Sequence, residues 1–482
     1  METGLLAYGA YLPVRRLQRA AVAKTHAWFN PGLKGLGKGE RTIANWDEDA
    51  VTMSVEAARN CLTGRDRDTI GAVWLASTSL PFKDRQNAGI VGDALSLKSD
   101  AMTLDVASSQ RAGTTALMAA LKGDAPALVV AADRRGARAG SPQEMTYGDG
   151  AAALLVGKGD VVAKLIGAHT EAVDFVDHYR GEGAEFDYAW EERWVRDEGH
   201  LKITPRAIKA LLDSTGTDAA SIARFCYPAA GRNVTAMVAK AAGLPEGSVA
   251  DNLQSNIGET GVAHPLLMLA QALESAEPGD RILVASFGQG CDALLFEATD
   301  AIKNRPAKSI ASQIDKGRAD DNYTRFITLN GLVNVEQGIR AELDKATALS
   351  NHWRNKDMTQ RMMGGHCDEC GTNQFPKSRI CVNPECGAVD TQRDEGFSDK
   401  IGKLNSFTAD RLTYSPDPPA YYGMVQFDTG GRLMCDFTDI DPEHQPEVGM
   451  AMRMMFRVKD YDRNRGFRRY FWKAMPATQE EL

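Results

Sequence analysis

One pattern limits the folds open to this chain: it repeats its own layout at a spacing of roughly 150 residues. Asp105 to Leu117 reads DVASSQRAGTTAL, and Asp251 to Leu267 reads DNLQSNIGETGVAHPLL. Aligned, Asp251 falls over Asp105, Ser255 over Ser109, Asn256 over Gln110 and Thr260 over Thr114. The flanks repeat too. A helical stretch (Asp47 to Cys61), a strand (Ile70 to Ala76) and a short helix (Ala88 to Leu95) precede the first copy. Pro205 to Leu212, Ile222 to Tyr227 and Val234 to Ala242 precede the second. After the first copy come a buried-type strand, Ala127 to Ala132, and a Gly-rich turn entering another strand, Tyr147 to Val156. Arg281 to Ala285, the turn Phe287 to Gly290 and Ala293 to Glu297 mirror them. Helix–strand alternation of this kind can arise by coincidence in an α/β chain. The matching Asp, Ser and Thr argue for two similar βαβ-rich halves packed face to face. Leu5 to Leu12 reads as a further strand, and the thirty residues after it, basic and Gly-rich to about Glu40, as loop.

The first copy has the layout of a reaction centre. A short β-like run ends at Val106, small residues follow, and an uncharged helix-like run continues through Met118. Backbone N–H groups at such a helix start converge on one point and stabilise developing negative charge. The residue at the junction is Gln110, a poor nucleophile.

Of the 482 residues, the last third has a different character. Ala301 to about Asp357 is charged and low in strand formers, with a helical stretch over Val335 to Ala348. It reads as linker plus docking helix, or as a solvated appendage. HCDECGTNQFPKSRICVNPEC then places Cys367 and Cys370, Cys381 and Cys386 in two pairs. Gly371 and Pro384 suit knuckle-type turns. Four thiolates on two tight turns match a tetrahedral zinc ribbon. The shell is closed by cysteine, so the metal expected is a structural Zn2+ standing in for a hydrophobic core too small to fold alone. The bland alternative is two reduced pairs without metal. His366 is a possible competing ligand. From Lys400 to Lys473, about five short alternating strands read as a small barrel of OB type.

A net charge of -8 gives no field favouring nucleic acid, and the arginines Arg463, Arg465, Arg468 and Arg469 read as a solvated hairpin tip. The start lacks a signal-peptide layout and no apolar run approaches membrane-spanning length. Of the eight cysteines, Cys61, Cys226, Cys291 and Cys435 are scattered, which is no disulfide framework. A cytoplasmic protein without a membrane partner is expected.

In order along the chain, YGAYLP, DEDAVTM, DVASSQRAGTTAL, YGDGAAALLV, NIGETG and SFGQG resemble the thiolase superfamily, closest to HMG-CoA synthase and ketoacyl-ACP synthase III. From about residue 350 the chain resembles the acyl-CoA-associated zinc-ribbon/OB-fold proteins that accompany thiolase-like enzymes. The resemblance implies an α/β fold of duplicated thiolase-like βαβαβ halves, followed by a zinc ribbon and a β-barrel OB-fold. The expected boundaries are 1–160 and 161–300 for the halves, 301–360 for linker and docking helix, 361–391 for the ribbon and 392–482 for the OB-fold. It also implies an acyl-CoA substrate, with coenzyme A as part of that substrate, and a homodimer.

In that family a Cys nucleophile stands where this chain has Gln110. The family's His falls at Cys226, Tyr227 or Pro228, and the Glu base of HMG-CoA synthase near Thr78; the family's Asn is matched to Asn256. Ser108 and Ser109 precede the junction and have no evident base. The resemblance therefore points to an acyl-CoA C–C lyase or acyltransferase, with aldol or retro-aldol chemistry and no Cys acyl-enzyme as the expected reaction. Gln110, Asn256, Glu259 and His264 are the catalytic candidates, with Tyr147 and Tyr227 as further acid/base candidates. Ser109, Tyr227, Gly288, Gln289 and Gly290 are the substrate-binding candidates. Two alternatives stay open: a non-catalytic acyl-CoA-binding subunit feeding a thiolase partner, and a Claisen enzyme with a relocated nucleophile.

Overall fold

The computed structural model describes residues 2–231, 233–303 and 309–478. Two compact units result. The first comprises Met1–Ala44, Asp49–Gly92 and Leu97–Ile327; the second comprises Asn45–Glu48, Asp93–Ser96 and Thr328–Leu482.

The first unit is built on nine strands: β1 (Glu2–Tyr11), β2 (Ala72–Ala76), β3 (Met102–Val106), β4 (Ala127–Asp133), β5 (Gly150–Gly159), β6 (Ala163–Ala172), β7 (Ile222–Cys226), β8 (Arg281–Phe287) and β9 (Gly290–Ala298). They form one sheet in the order β7-β8-β9-β6-β1-β5-β4-β2-β3. Read outward from the β6–β1 junction, the order is the same in both directions. β1, β5, β4, β2 answer β6, β9, β8, β7, so the repeat in the sequence is a repeat in the fold. β3 fills a fifth place in the first half. In the second half that place shrinks to a single bridge between Phe225 and Val249.

Helices follow the same symmetry. α1 (Ala50–Cys61) packs on β1 and β5, and α3 (Ile203–Thr215) packs on β6 and β9. Asp49 starts α1 by accepting the N–H groups of Val51 and Thr52, both at 3.0 Å, while Thr52 Oγ1 takes the N–H of Asp49 at 2.8 Å. This reciprocal cap satisfies donors that a helix start otherwise leaves orphaned. α4 (Val234–Ala242) packs on α3, while α2 (Ala112–Ala120) and α5 (His264–Ser275) pack on each other in the interior. Neither has an exposed face to solvate, and so both are short of charge. Leu266, Leu267, Leu269 and Leu273 of α5 are wholly buried, each stabilising the fold by about 1.5–3 kcal/mol. Gly113 lets α2 approach: a Cβ there would lie 2.5 Å from the carbonyl oxygen of Val262.

Three expectations change. The stretch after β1 is not loop: Arg15–Gln18 and Glu40–Ile43 form strands and Arg19–His26 a helix. Residues 309–327 are not linker. Arg318–Asp320 pairs with Arg15–Gln18, and Gln313 accepts the N–H of Leu12 at 2.9 Å. Long-range pairing of this kind leaves no periodic trace in sequence. Residues 304–308, within the expected linker, lie outside the described residues. The helix expected over Val335 to Ala348 is not formed. That span holds only a one-turn helix, Ile339–Ala341, because its apolar residues find no surface: Ile339 and Leu343 are exposed. Short helices occur instead at Leu349–Arg354 and Lys356–Thr359.

The second unit carries a three-stranded sheet of Met363–Cys367, Asn373–Gln374 and Gln392–Gly396. The OB barrel follows: β10 (Gly402–Asp410), β11 (Ala420–Phe427), β12 (Arg432–Asp436), β13 (Ala451–Asp462) and β14 (Phe467–Pro476). The order is β12-β11-β10-β13-β14, and the Phe437–Ala474 bridge brings its two ends together. The barrel unit also buries charge. Lys473 meets Asp47 at 2.8 Å, and Arg457 meets Asp439 at 3.0 Å and Glu48 at 3.1 Å. Such ions are tolerated in the interior only because each is paired. Among the described residues no helix is long and apolar enough to cross a membrane.

Candidate active site and candidate metal centre

The junction expected to be reactive lies between β3 and α2. Ser109 Oγ donates to the carbonyl of Gly288 at 3.0 Å, and Arg111 Nε donates to the same carbonyl at 2.9 Å. Arg111 also pairs with buried Asp292 at 2.8 Å. The turn after β8 is thereby fastened to the mouth of α2. Gly288 has to be glycine there: a Cβ would stand 2.9 Å from the Arg111 nitrogen and 3.1 Å from that of Gln110. Gln289 takes φ 53° and Gly290 φ 114° in the same turn. Ser109, Gln110, Gly288, Gln289 and Gly290 are thus brought together.

The side chain of Gln110 faces a histidine that sequence reasoning missed. Gln110 Nε2 lies 3.4 Å from His178 Nε2, and His178 Nδ1 lies 2.9 Å from Asp177. Burial pushes the Asp177 carboxyl up, but its bonds to His178 outweigh this and hold it below the ordinary range. Gln110 Oε1 is buried and makes no hydrogen bond. His178 belongs to a small hairpin, His178–Tyr179 paired with Tyr188–Ala189. Alternation along it sends His178, Arg180 and Asp187 to the site and leaves Tyr179 and Tyr188 exposed. The signal available in sequence was the DH pair at Asp177–His178, which lies in a stretch without repeat or periodicity.

Beside this pair is a second network. Arg135 bonds Glu259 at 2.6 Å, Asp187 at 2.7 Å and the Tyr147 hydroxyl at 2.6 Å, and Arg180 bonds Asp187 at 2.8 Å. Burial alone would lower the Arg135 pKa, yet Glu259, Tyr147 and Asp187 raise it overall. Asp187 sits below its ordinary value because the two arginines overcome its burial. Tyr147 is held protonated, chiefly by burial. Thr78, where a Glu base was expected by resemblance, bonds Asp133 instead, at 2.9 Å through its hydroxyl.

The other candidates have different partners. Asn256 accepts from its neighbour Ser255 at 2.7 Å and stands eight residues ahead of α5, whereas Gln110 stands two ahead of α2. The two are therefore not equivalent, and Glu259 is the residue of that loop that enters the network. His264 is fully buried. Nδ1 accepts the N–H of Thr260 at 3.0 Å and Nε2 meets the Asn252 carbonyl at 2.7 Å. Burial lowers its pKa, so it is a neutral packing histidine with no nitrogen to spare. Tyr227 is fully buried, its hydroxyl 2.5 Å from His200 and 3.0 Å from Thr204. The Cys226 and Cys291 thiols are wholly buried and pushed up by that burial to about 12. Neither supplies a thiolate near neutral pH.

In the second unit the Sγ atoms of Cys367, Cys370, Cys381 and Cys386 all lie within 4.8 Å of one another, with 3.9 Å between Cys367 and Cys386 and 3.6 Å between Cys370 and Cys381. Tetrahedral zinc with sulfur at 2.3 Å needs sulfurs about 3.8 Å apart, so the set is sized for that ion. Gly371 and Gly387, each just after a ligand pair, take φ 72° and 60° and turn back the two knuckles. Cys367 and Asn383 carbonyls accept their N–H groups at 2.8 and 3.0 Å. His366 is not part of that group of ligand atoms, and its Nδ1 is 2.6 Å from Asn373.

Comparison with known proteins matches this architecture. Residues 212–296 match the family described as 3-oxoacyl-[acyl-carrier-protein] synthase III C terminal, and residues 397–457 match the ChsH2 C-terminal OB-fold domain. A hydroxymethylglutaryl-CoA synthase from Aeropyrum pernix is 30% identical over 350 residues, covering 70% of this chain and 96% of that protein. The crystal structure of an HMG-CoA synthase complexed with CoA superposes with a TM-score of 0.59 at 18% identity, covering 72% of this chain and 94% of that one. A 3-oxoacyl-[acyl-carrier-protein] synthase III from Aquifex aeolicus gives 0.54 at 19%, covering 61% and 99%. The fold is therefore thiolase-like α/β, followed along the chain by an OB-fold domain. Within that class, the chain belongs to the hydroxymethylglutaryl-CoA synthase family.

Proposed function

We propose that the protein makes or breaks a carbon–carbon bond beside a CoA thioester by aldol or retro-aldol chemistry, with no acyl group carried on cysteine. One observation carries this reading: the mouth of α2 holds an amide, Gln110, facing a carboxylate-oriented histidine, while Cys226 and Cys291 are sealed in the core. With Asp177 accepting from Nδ1–H, His178 presents Nε2 as a base. It takes the hydroxyl proton of a β-hydroxyacyl-CoA. The bond between the α and β carbons breaks, its electron pair enters the thioester as an enolate, and an aldehyde or ketone leaves. The proton on His178 then returns to the α carbon. Backbone N–H groups at the start of α2 support the enolate oxygen. Arg135 and Glu259 keep the opposite wall polar and fixed.

Coenzyme A as part of the substrate agrees with the CoA and HMG-CoA bound by the related structures. The four cysteines fit a structural zinc ion, which would tie the two knuckles together and supply no chemistry to the reaction. The family resemblance supports a homodimer. The test is direct. The purified protein, given 3-hydroxy-3-methylglutaryl-CoA and other β-hydroxyacyl-CoAs, releases a carbonyl product and a shorter acyl-CoA. Inertness alone, with turnover restored only by a cysteine-bearing thiolase, would instead identify a subunit that binds and passes on acyl-CoA.

A further inference from the structure

Where the resemblance places the family's histidine, Cys226 and Tyr227 both point into the core. A different histidine stands against that place. His200 ends the π-helical turn Val195–His200, a geometry that recurs at functional sites because it re-aims one side chain. Its Nδ1 is 2.5 Å from the Tyr227 hydroxyl, which Thr204 meets from the other side at 3.0 Å. Its ring packs on Phe287, centroids 4.5 Å apart, and Phe287 leads directly into the Gly288 turn that closes on Gln110. Gly199 permits this approach, since a Cβ there would lie 2.9 Å from the Phe287 ring and 2.8 Å from that of Phe175.

We infer that His200 is a catalytic residue, donating Nε2–H to the oxygen on which negative charge develops. With Tyr227 donating to Nδ1, the single proton of the neutral ring sits on Nε2. Burial lowers its pKa to about 4, with Asp177 opposing weakly. The ring thus stays neutral near pH 7 and acts as a hydrogen-bond donor rather than an acid. His178 and His200 then divide the work across Asp177: one moves the proton and the other holds the enolate. Tyr227 and Thr204 are positioning residues, acting through His200. The inference rests on the acyl-CoA reading of the site.

The experiment uses the full chain and two readouts. The first is kcat and KM for β-hydroxyacyl-CoA cleavage. The second is the near-ultraviolet absorption of bound acetoacetyl-CoA as its enolate. His200→Leu is expected to lower kcat about 100-fold and remove the enolate band, with KM changed less than about threefold. His200→Gln, which keeps a donor, recovers part of both. Tyr227→Phe leaves the imidazole in place but frees its tautomer, and costs about tenfold in kcat. His200→Leu that keeps kcat within threefold, or keeps the enolate band, overturns the assignment while leaving the acyl-CoA reading intact. Wild-type protein that binds no CoA thioester overturns both.

Discussion

The amide nitrogen of Gln110 shares its lone pair with the carbonyl, so it cannot attack a thioester as a thiolate does. Incubation with radiolabelled acetyl-CoA followed by a denaturing gel is therefore expected to leave the chain unlabelled. A labelled band that tracks a cysteine would reinstate an acyl-enzyme. His178→Gln should lower kcat at least about 100-fold with little change in the thermal midpoint, because only the proton carrier is lost. The acid side of the stability curve draws on neighbouring groups, His200, Asp177 and Asp187. His200 is neutral in the folded state down to about 4, against 6.5 when unfolded. Its contribution is full above 6.5 and is lost as pH falls toward 4, where the unfolded chain binds more protons. Asp177 and Asp187, held below their ordinary values, add losses at lower pH as they protonate. Urea unfolding from pH 7 to 4 should thus show falling stability, with the slope between 6.5 and 4 reduced by up to about one proton in His200→Gln.

At the scale of elements, the site depends on where helices start. α1 owes its start to Asp49, and Asp49→Ala should destabilise the first unit by about 1 kcal/mol in urea unfolding. Gly288→Ala is a sharper probe, because its Cβ would press on the Gln110 and Arg111 nitrogens. Activity should fall well beyond what any change in the unfolding midpoint explains. Equal losses of both would mean that the turn only supports the fold.

For the whole molecule, the ribbon is the decisive test. Elemental analysis should find one zinc ion per chain, and a strong chelator should expose the segment around Cys367 to Cys386 to protease. Cys370→Ser should do the same without chelator. Chains that hold no metal yet resist protease would show that the cysteines fold the ribbon as reduced pairs. Sedimentation at twice 52.3 kDa would establish the dimer expected from resemblance; sedimentation as a single chain would refute it.

Much of this was legible in the chain. The repeat, the uncharged run of α2, the alternation of the five barrel strands and the spacing of Cys367, Cys370, Cys381 and Cys386 are local patterns, and periodicity reports local patterns faithfully. The register between the halves was not. Matching Asp105 to Asp251 placed Asn256 opposite Gln110, whereas α5 begins later and brings Glu259 into the site. Nothing along the chain marks a histidine as buried or exposed, so His264 looked available when both its nitrogens were committed to backbone. His178 and His200 escaped notice because they come from an aperiodic stretch. Spacing pointed to two α/β halves and to a cluster of four cysteines, and the family resemblance pointed to an amide where relatives are expected to carry a nucleophilic cysteine. Only tertiary packing decided which side chains meet, because contacts such as Gln110 with His178 and Arg135 with Glu259 join residues 68 and 124 positions apart, where no local periodicity reaches.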